Sequence, residues 1–509
     1  MNKGKAYLVG AGPGDPGLLT VRAAQLLHLC DVLIYDNLVN ETIVSNLTPP
    51  HCEKIYVGKS GAAHTMEQEE INKLIVDRTK AGNLVVRLKG GDPYIFGRGG
   101  EEALYCAENG VEFEVVNGIS SAYAVPAYAG IPVTNRGYSS SVAFITGHED
   151  PTKLESDINW EKLSTGVQTL VFLMGVKNLP FIAKKLMENG LDPSTPAAVI
   201  ENGCQPSQRT VCGTLSDIAD KVRDEGIRPP SISIIGKVVD LRDRLNWYES
   251  RPLFGKTIVV TRSRDQASWL TSRLTALGAA VIETPAIRIE PISDQTEINR
   301  CIGKISEYDW IIFTSVNGVD HFFAALSANG LDSRSLANAK ICVIGPATGD
   351  RLIAHGIRPD LLPGRFISSA VIEELIKRNE VKGKSFLLPR ADIAPRELRD
   401  LLLENNAELV DDISVYRTVQ VNSDELQSAK DAIAGTKIDL VTFTSSSTAR
   451  NFFNIAVKTG ITSIKDFTCA AIGPITAKTA EELGFTVSIS AVEHTIDGLV
   501  SAILTYYRT

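Results

Sequence analysis

Gly10, Gly12, Gly14 and Gly17 follow directly on the apolar run Ala6 to Val9. Glycine lets a backbone turn sharply and lets a ligand approach it closely. Leu18 to Leu29 then reads as a helix. Strand, glycine loop and helix in that order place a nucleotide-like ligand at the carboxyl end of a parallel strand. A dinucleotide fingerprint requires Gly-x-Gly-x-x-Gly at this point. Counted from Gly10, its third glycine falls on Asp15, and Pro13 removes an N–H that a phosphate would use. The loop therefore suits a flat, uncharged nucleoside better than a pyrophosphate.

Further segments carry groups able to do chemistry. Val85 to Lys89 reads as a strand and feeds a second glycine loop, Gly90-Gly91-Asp92-Pro93-Tyr94-Ile95-Phe96-Gly97-Arg98-Gly99-Gly100-Glu101-Glu102. Asp36 lies at the end of the strand Val32 to Tyr35, where a carboxylate also suits capping the next turn. Ile131 to Gly137 is a loop carrying Arg136, and Val171 to Gly175 is a buried strand ending in Met174-Gly175.

The elements that position these groups alternate along the whole chain. Apolar β-rich runs such as Leu170 to Met174, Ile232 to Val239, Trp310 to Thr314 and Leu440 to Thr444 alternate with amphipathic helical stretches, which predicts α/β architecture with mostly parallel sheets. At 509 residues the chain exceeds one ordinary core, and 44% hydrophobic with 22% charged residues are values of a globular protein. The net charge of −8 argues against a nucleic-acid partner. Eight scattered cysteines without Cys-x-x-Cys or zinc-ligand spacing read as reduced, buried thiols of a cytoplasmic protein. No signal peptide and no membrane span is expected.

Together the segments around Gly10, Asp36, Gly91, Arg136 and Met174 resemble the uroporphyrinogen III C-methyltransferases, over about residues 4 to 247. The resemblance implies a two-lobed tetrapyrrole methylase fold over 1–247, with lobes of about 1–118 and 119–247. It also implies S-adenosyl-L-methionine as methyl donor, S-adenosyl-L-homocysteine as product, no metal, and a homodimer through this half. By the same resemblance Asp36 is the proton acceptor and Lys59 a proton donor. Arg98 and Arg136 would bind substrate carboxylates, with Glu101 orienting Arg98. Pro13, Gly90, Gly91, Asp92, Ile95, Ser120, Ser121, Met174 and Gly203 would contact the cofactor, Asp92 through a ribose hydroxyl or the amino group. Ser120-Ser121 replaces a Thr-Ala of close relatives, and Asn135 stands where a histidine is common.

Beyond a polar, proline-bearing joint at 248–252 the chain repeats itself. Gly255 to Arg262 matches Gly383 to Arg390, Phe313 to Asn317 matches Phe443 to Ser447, and Val343 to Thr348 matches Ala471 to Thr476, at offsets of 128 to 130 residues. That period implies two similar α/β lobes around a cleft. This part, 253–509, resembles uroporphyrinogen III synthase in Phe313 to Val319, Val415 to Thr418 and Ala471 to Ala477. The resemblance implies flavodoxin-like lobes, one of 253–288 plus 419–509 and one of 289–418, with crossings near Pro285 to Pro291 and Arg417 to Val421. Tyr416 would assist loss of hydroxyl from the substrate. Arg262, Thr314, Ser315, Asn317, Thr444, Ser445, Ser446 and Thr476 would bind it, although each hydroxyl also suits a helix N-cap. Arg262 and Arg390 are expected to open equivalent helices.

The combined reading is a bifunctional enzyme of tetrapyrrole biosynthesis. It would close hydroxymethylbilane to uroporphyrinogen III with ring D inversion, then methylate it twice to precorrin-2 for siroheme or cobalamin. Two alternatives compete with it: an NAD-dependent oxidoreductase on the first glycine loop, and a non-catalytic sensor of acidic ligands in the second half.

Overall fold

In a computed structural model, residues 4–58, 66–148, 157–261, 264–284, 287–420, 431, 433, 436–459 and 467–508 are described. Lys59, Arg262 and the crossing residues Pro285 and Val421 lie outside that set. Four five-stranded sheets carry the chain. Two compact units form, Met1–Ile258 with Ser272–Val281 and Leu504–Thr509, and Val259–Thr271 with Ile282–Ile503.

The first sheet has the order Glu53–Tyr56, Val32–Tyr35, Leu84–Lys89, Lys5–Gly10, Phe113–Val116, and all its pairings are parallel. Apart from the buried Arg87 and Lys89, its inner strands are largely apolar on both faces because helices cover both faces. Val9, Leu33, Val86 and Leu88 pack one side with Leu26 and Leu27 of the helix Val21–Leu29. Ala6, Val32, Ile34 and Val85 pack the other with Ile71, Ile75 and Val76 of the helix Gln68–Lys80. Thr20 caps Val21–Leu29 by accepting from Ala23 N at 3.2 Å, so the predicted helix starts three residues late, after a 3-10 turn at Pro16–Leu18.

The second sheet departs from the mostly parallel pattern of the other pairings. Its order is Val142–Thr146, Thr169–Leu173, Ser231–Ile235, Pro196–Glu201, Arg209–Thr214, and only the first pair is parallel. Only seven residues, 202 to 208, join Pro196–Glu201 to Arg209–Thr214. That is too short for a crossover helix, so the pair is antiparallel.

The stretch read as a polar joint is packed within the first unit. Tyr248 and Leu253 are buried, and Glu249 accepts from Gln208 Nε2 at 2.8 Å and Thr210 Oγ1 at 2.6 Å and pairs with Arg242. Arg251 lies over the Trp247 and Tyr248 rings at 4.7 and 4.8 Å.

The two remaining sheets interleave the sequence repeat. One has the order Ala280–Glu283, Thr257–Val260, Leu440–Phe443, Thr468–Ala471, Thr486–Ser490, and the other Ile287–Pro291, Leu409–Gln420, Ser385–Ala391, Trp310–Phe313, Lys340–Val343. Equivalent trios therefore stand side by side in each. Thr257–Val260 of the first copy joins Leu440–Phe443 and Thr468–Ala471 of the second. Ser385–Ala391 of the second copy joins Trp310–Phe313 and Lys340–Val343 of the first, in parallel. The copies of the repeat are thus not the sheets: each sheet takes strands from both. All eight cysteines are free thiols, and seven are buried; Cys212 is exposed, contrary to the expectation for it. Among the described residues no helix is long and apolar enough to cross a membrane.

This interleaving makes a prediction for a chain cut between Lys382 and Gly383. Neither 253–382 nor 383–509 then holds all strands of either sheet. Each fragment alone is expected to lack a cooperative unfolding transition by circular dichroism, while 253–509 shows one. A cooperative transition in 383–509 alone would contradict the assignment.

Candidate functional site

Lys5–Gly10 pairs in parallel with Leu84–Lys89 up to Gly10 and Lys89, so the two glycine loops leave the same edge side by side. Beyond the strands they are tied together. Gly91 N–H donates to Gly12 O at 2.7 Å, and Gly12 N–H donates to Gly91 O at 3.2 Å. A Cβ on Gly10 would stand 2.5 Å from Gly118 Cα, and one on Gly118 would stand 2.1 Å from Gly91 O. The space at Gly10 is filled by backbone, which replaces the idea that this glycine admits a ligand.

Gly91 differs. Its φ is +69°, and a Cβ there would meet only Ser121 N, at 3.7 Å. Gly91 therefore presents an open face. Gly90 does not, since a Cβ there would stand 2.6 Å from Leu38 Cβ. Gly203 packs against the helix Ser121–Tyr128, where a Cβ would come within 2.3 Å of Val125. Ser120 caps that helix, accepting from Ala122 N at 3.3 Å. Ser121 is its first residue, and Pro13 is half-buried.

Asp92 is buried, and its carboxylate accepts from Tyr94 N at 2.8 Å, Asn117 Nδ2 at 3.0 Å and Gly118 N at 3.1 Å. The structure thus gives it a clamping role between loops that the sequence reading did not assign. Asp15, at the missing glycine position, accepts from Gly17 N at 2.8 Å and Tyr128 OH at 2.7 Å. Burial and this bond push the Tyr128 hydroxyl far above its usual pKa.

The backbone is strained at several points of the first half. Among described residues of the first half, the non-glycine positions with left-handed φ are Phe96, Arg98, Met174, Asn202 and Cys204. Phe96 and Arg98 lie in the loop between Leu84–Lys89 and the helix Gly99–Glu108, whereas Met174, Asn202 and Cys204 follow strands of the second sheet. Each costs on the order of 1–3 kcal/mol, and such strain clusters at ligand sites. Ile95, Phe96 and Met174 are exposed.

Asp36 Oδ1 accepts from Leu38 N at 3.1 Å and Oδ2 pairs with Arg87 Nη2 at 3.1 Å. Arg87 Nε donates to Glu102 Oε1 at 3.1 Å, and Lys89 Nζ to the same oxygen at 2.8 Å. Arg87, Lys89 and Glu102 are all buried. Burial and the neighbouring Arg87 charge hold Lys89 below the usual ammonium range, against the pull of Glu102. The sequence reading missed these three residues. Arg87 and Lys89 sit two apart in an otherwise apolar central strand, and that charged alternation was the available signal.

Glu101 points elsewhere. It takes two bonds from Arg98, Nε to Oε1 at 2.9 Å and Nη2 to Oε2 at 2.7 Å, with both side chains half exposed. The Arg98 hydrogen bonds hold the Glu101 carboxyl below its usual range. An exposed pair of this kind adds little stability. Arg136 is exposed in a turn closed by the Asn135–Ser139 bridge.

In the second half, Ser315 caps the helix Val316–Ala328, which also carries Asn317, by accepting from Gly318 N at 3.0 Å. It shares a 3.1 Å hydrogen bond with Tyr416 OH, and the Tyr416 ring stacks on His321 at 5.5 Å. Burial pushes the Tyr416 hydroxyl up. Thr314 is half-buried. Ser445, next to the half-buried Thr444, exchanges bonds with Thr448; Ser446 accepts from Thr479 Oγ1 at 2.9 Å; and Thr476 is buried in the helix Pro474–Glu482. Arg390 opens no helix. It is buried inside Ser385–Ala391, where Nε donates to Asp412 Oδ1 at 2.9 Å, Nη1 to Pro395 O at 2.8 Å, and Nη2 to Asp412. Three of its five N–H groups are thus engaged within the fold. Among the described residues, no group of three or more His, Cys, Asp and Glu could hold a metal.

Two family models match in succession: Tetrapyrrole (Corrin/Porphyrin) Methylases over residues 5–219 and Uroporphyrinogen-III synthase HemD over 268–501. A porphyrin biosynthesis protein HemD of Ruminiclostridium josui is 37% identical over 99% of this chain and 98% of its own length. An S-adenosyl-L-methionine-dependent uroporphyrinogen III methyltransferase of Methanosarcina barkeri is 53% identical over 48% of this chain and 95% of its own. A solved uroporphyrin-III C-methyl transferase of Thermus thermophilus, complexed with S-adenyl homocysteine, is 41% identical over 47% of this chain, at a TM-score of 0.40.

The Asp92 clamp is testable. Asp92→Ala leaves the buried Gly118 N–H without its acceptor, at a cost of roughly 1–3 kcal/mol, and releases the side chain of the exposed Asn117. Hydrogen exchange in a peptide spanning 113–122 should speed up markedly, with exchange in 296–328 unchanged. Unaltered exchange at 113–122 would contradict the clamp.

Proposed function

We propose two consecutive reactions for this chain, which belongs to the family of porphyrin-biosynthesis proteins that join a tetrapyrrole methylase to a uroporphyrinogen-III synthase. The second half, 253–509, cyclises hydroxymethylbilane to uroporphyrinogen III with inversion of ring D. The first half, 1–247, methylates that product twice, giving precorrin-2 for siroheme or cobalamin, in the cytoplasm. The observation that carries this reading is that a methylase and a synthase family model match this chain in succession, alongside a porphyrin biosynthesis relative similar from end to end.

S-adenosylmethionine, when bound, supplies an electrophilic methyl on a sulfonium. The chain's part is to orient, desolvate and remove a proton. The open face of Gly91 fits a flat adenosine, and Pro13, Gly90, Ile95, Ser120, Ser121, Met174 and Gly203 are assigned to contacting the cofactor. Asp92 supports that surface by holding Gly118 and Asn117. Arg98, held by Glu101, and Arg136 receive substrate carboxylates. Asp36 takes the proton lost from the pyrrole framework, and Lys59 returns one. Self-association through the first half is part of the same proposal, and exposed Leu245 and Trp247 offer apolar surface for it.

In the second half the work is to fold a flexible linear substrate and hold its acid groups. The hydroxyls of Thr314, Ser315, Thr444, Ser445, Ser446 and Thr476, with Asn317 and Arg262, are assigned to binding. Tyr416 assists departure of the hydroxyl; its hydrogen bond to Ser315 and its contact with His321 support that role.

Gly91→Leu tests the division of labour. A leucine there fills the open face and opposes the left-handed φ. Calorimetry should find no S-adenosylmethionine binding, while turnover of hydroxymethylbilane persists. Loss of both activities in a folded protein would contradict separate sites, and loss of neither would contradict the assignment of Gly91 to the cofactor surface.

A further inference from the structure

We propose that Arg87 is a positioning residue for Asp36 in methyl transfer, itself held in place by Glu102 and Lys89. The proposal rests on the reading of Asp36 as proton acceptor. Val85, Arg87 and Lys89 alternate on one strand and so share a face of the first sheet. The helices Gln68–Lys80 and Gly99–Glu108 cover that face, the second contributing Glu102.

Four charges form a chain, Asp36–Arg87–Glu102–Lys89, with two of each sign. Asp36 alone among them reaches the surface, its side chain 22% exposed against 4%, 6% and 0% for Arg87, Lys89 and Glu102. Glu102 Oε1 also accepts from Gln68 Nε2 at 3.2 Å, and Gln68 is steadied by Asn72 Oδ1 at 2.9 Å. Glu102 Oε2 is buried and has no partner among the described residues, so all three donors converge on one oxygen.

That geometry fixes the guanidinium. Nε is bound by Glu102, Nη1 by Leu88 O at 2.9 Å, and Nη2 is left for Asp36. With Leu38 N on Oδ1, the Asp36 carboxylate is held through both oxygens. Its remaining lone pairs are the ones available to a substrate proton. When the proton passes from the pyrrole framework to Asp36, the bond to the substrate breaks and the carboxylate becomes neutral. Arg87 then keeps Glu102 as counter-charge. Packing alone does not account for the arrangement, because apolar side chains of similar volume commonly serve a core as well as a buried ion pair.

The test uses the full chain with Arg87→Lys, Asp36→Asn and the double variant. Three quantities are read: kcat on supplied uroporphyrinogen III, S-adenosylmethionine stoichiometry by calorimetry, and synthase turnover as an internal control. Asp36→Asn is expected to lower kcat roughly a hundredfold, the lower range for a general base. Arg87→Lys is expected to lower kcat about tenfold with stoichiometry, uroporphyrinogen KM and synthase turnover retained. The double variant should be no slower than Asp36→Asn, because residues acting through one another are not additive. Additive losses, or an unchanged kcat in Arg87→Lys, would overturn the proposal while leaving Asp36 as base. A wild-type kcat in Asp36→Asn would overturn the reading beneath it. If Arg87→Lys loses stoichiometry, Glu102→Gln decides: loss of kcat absorbed by Asp36→Asn supports the proposal, and loss of stoichiometry there too overturns it in favour of a structural role.

Discussion

Backbone meets backbone at the carboxyl edge of the first sheet, and much of the first half follows from that contact. Gly10 and Gly118 approach so closely that neither tolerates a Cβ. Their contact brings the loop after Phe113–Val116 against the two glycine loops, which the Gly12–Gly91 bridge has already joined. Asp92 then fixes the junction by accepting from Asn117 and Gly118. Beside these locked backbones Gly91 presents an open face, and the helix Ser121–Tyr128 starts where Ser120 caps it. Preorganisation of this kind is what a methyl-transfer site needs, because alignment supplies much of the rate.

The halves reach rigidity differently. In the first, loops at one sheet edge are tied by hydrogen bonds and a buried charge chain, and strain is stored in five left-handed residues. In the second, two sheets each borrow strands from both copies of a sequence repeat. Its helix-start hydroxyls are engaged in capping, as Ser315 and Ser445 show. Such groups bind anions through N–H groups at helix termini more than through free side chains.

Period and punctuation were legible in the sequence. Strand–glycine–helix units, the strand-end Asp36 and the repeat were all there to read. What was not legible depends on which face a residue occupies. Glu101 and Glu102 are adjacent in sequence, yet one pairs with Arg98 half exposed and the other is sealed under the sheet with Arg87 and Lys89. Gly10 and Gly91 look alike in a motif, but one touches backbone and the other faces open space. The antiparallel pairs of the second sheet follow from a short connection whose consequence the apolar runs do not display. Asp15 read as a missing glycine and is instead a cap and the acceptor of Tyr128.

The central claim is that one chain performs both reactions in sequence. The mass of the product formed from hydroxymethylbilane, with and without S-adenosylmethionine, tests it most directly. The account predicts uroporphyrinogen III in the absence of the methyl donor and a product heavier by two methyl substitutions in its presence. The same mass under both conditions, or no cyclised product under either, would contradict it.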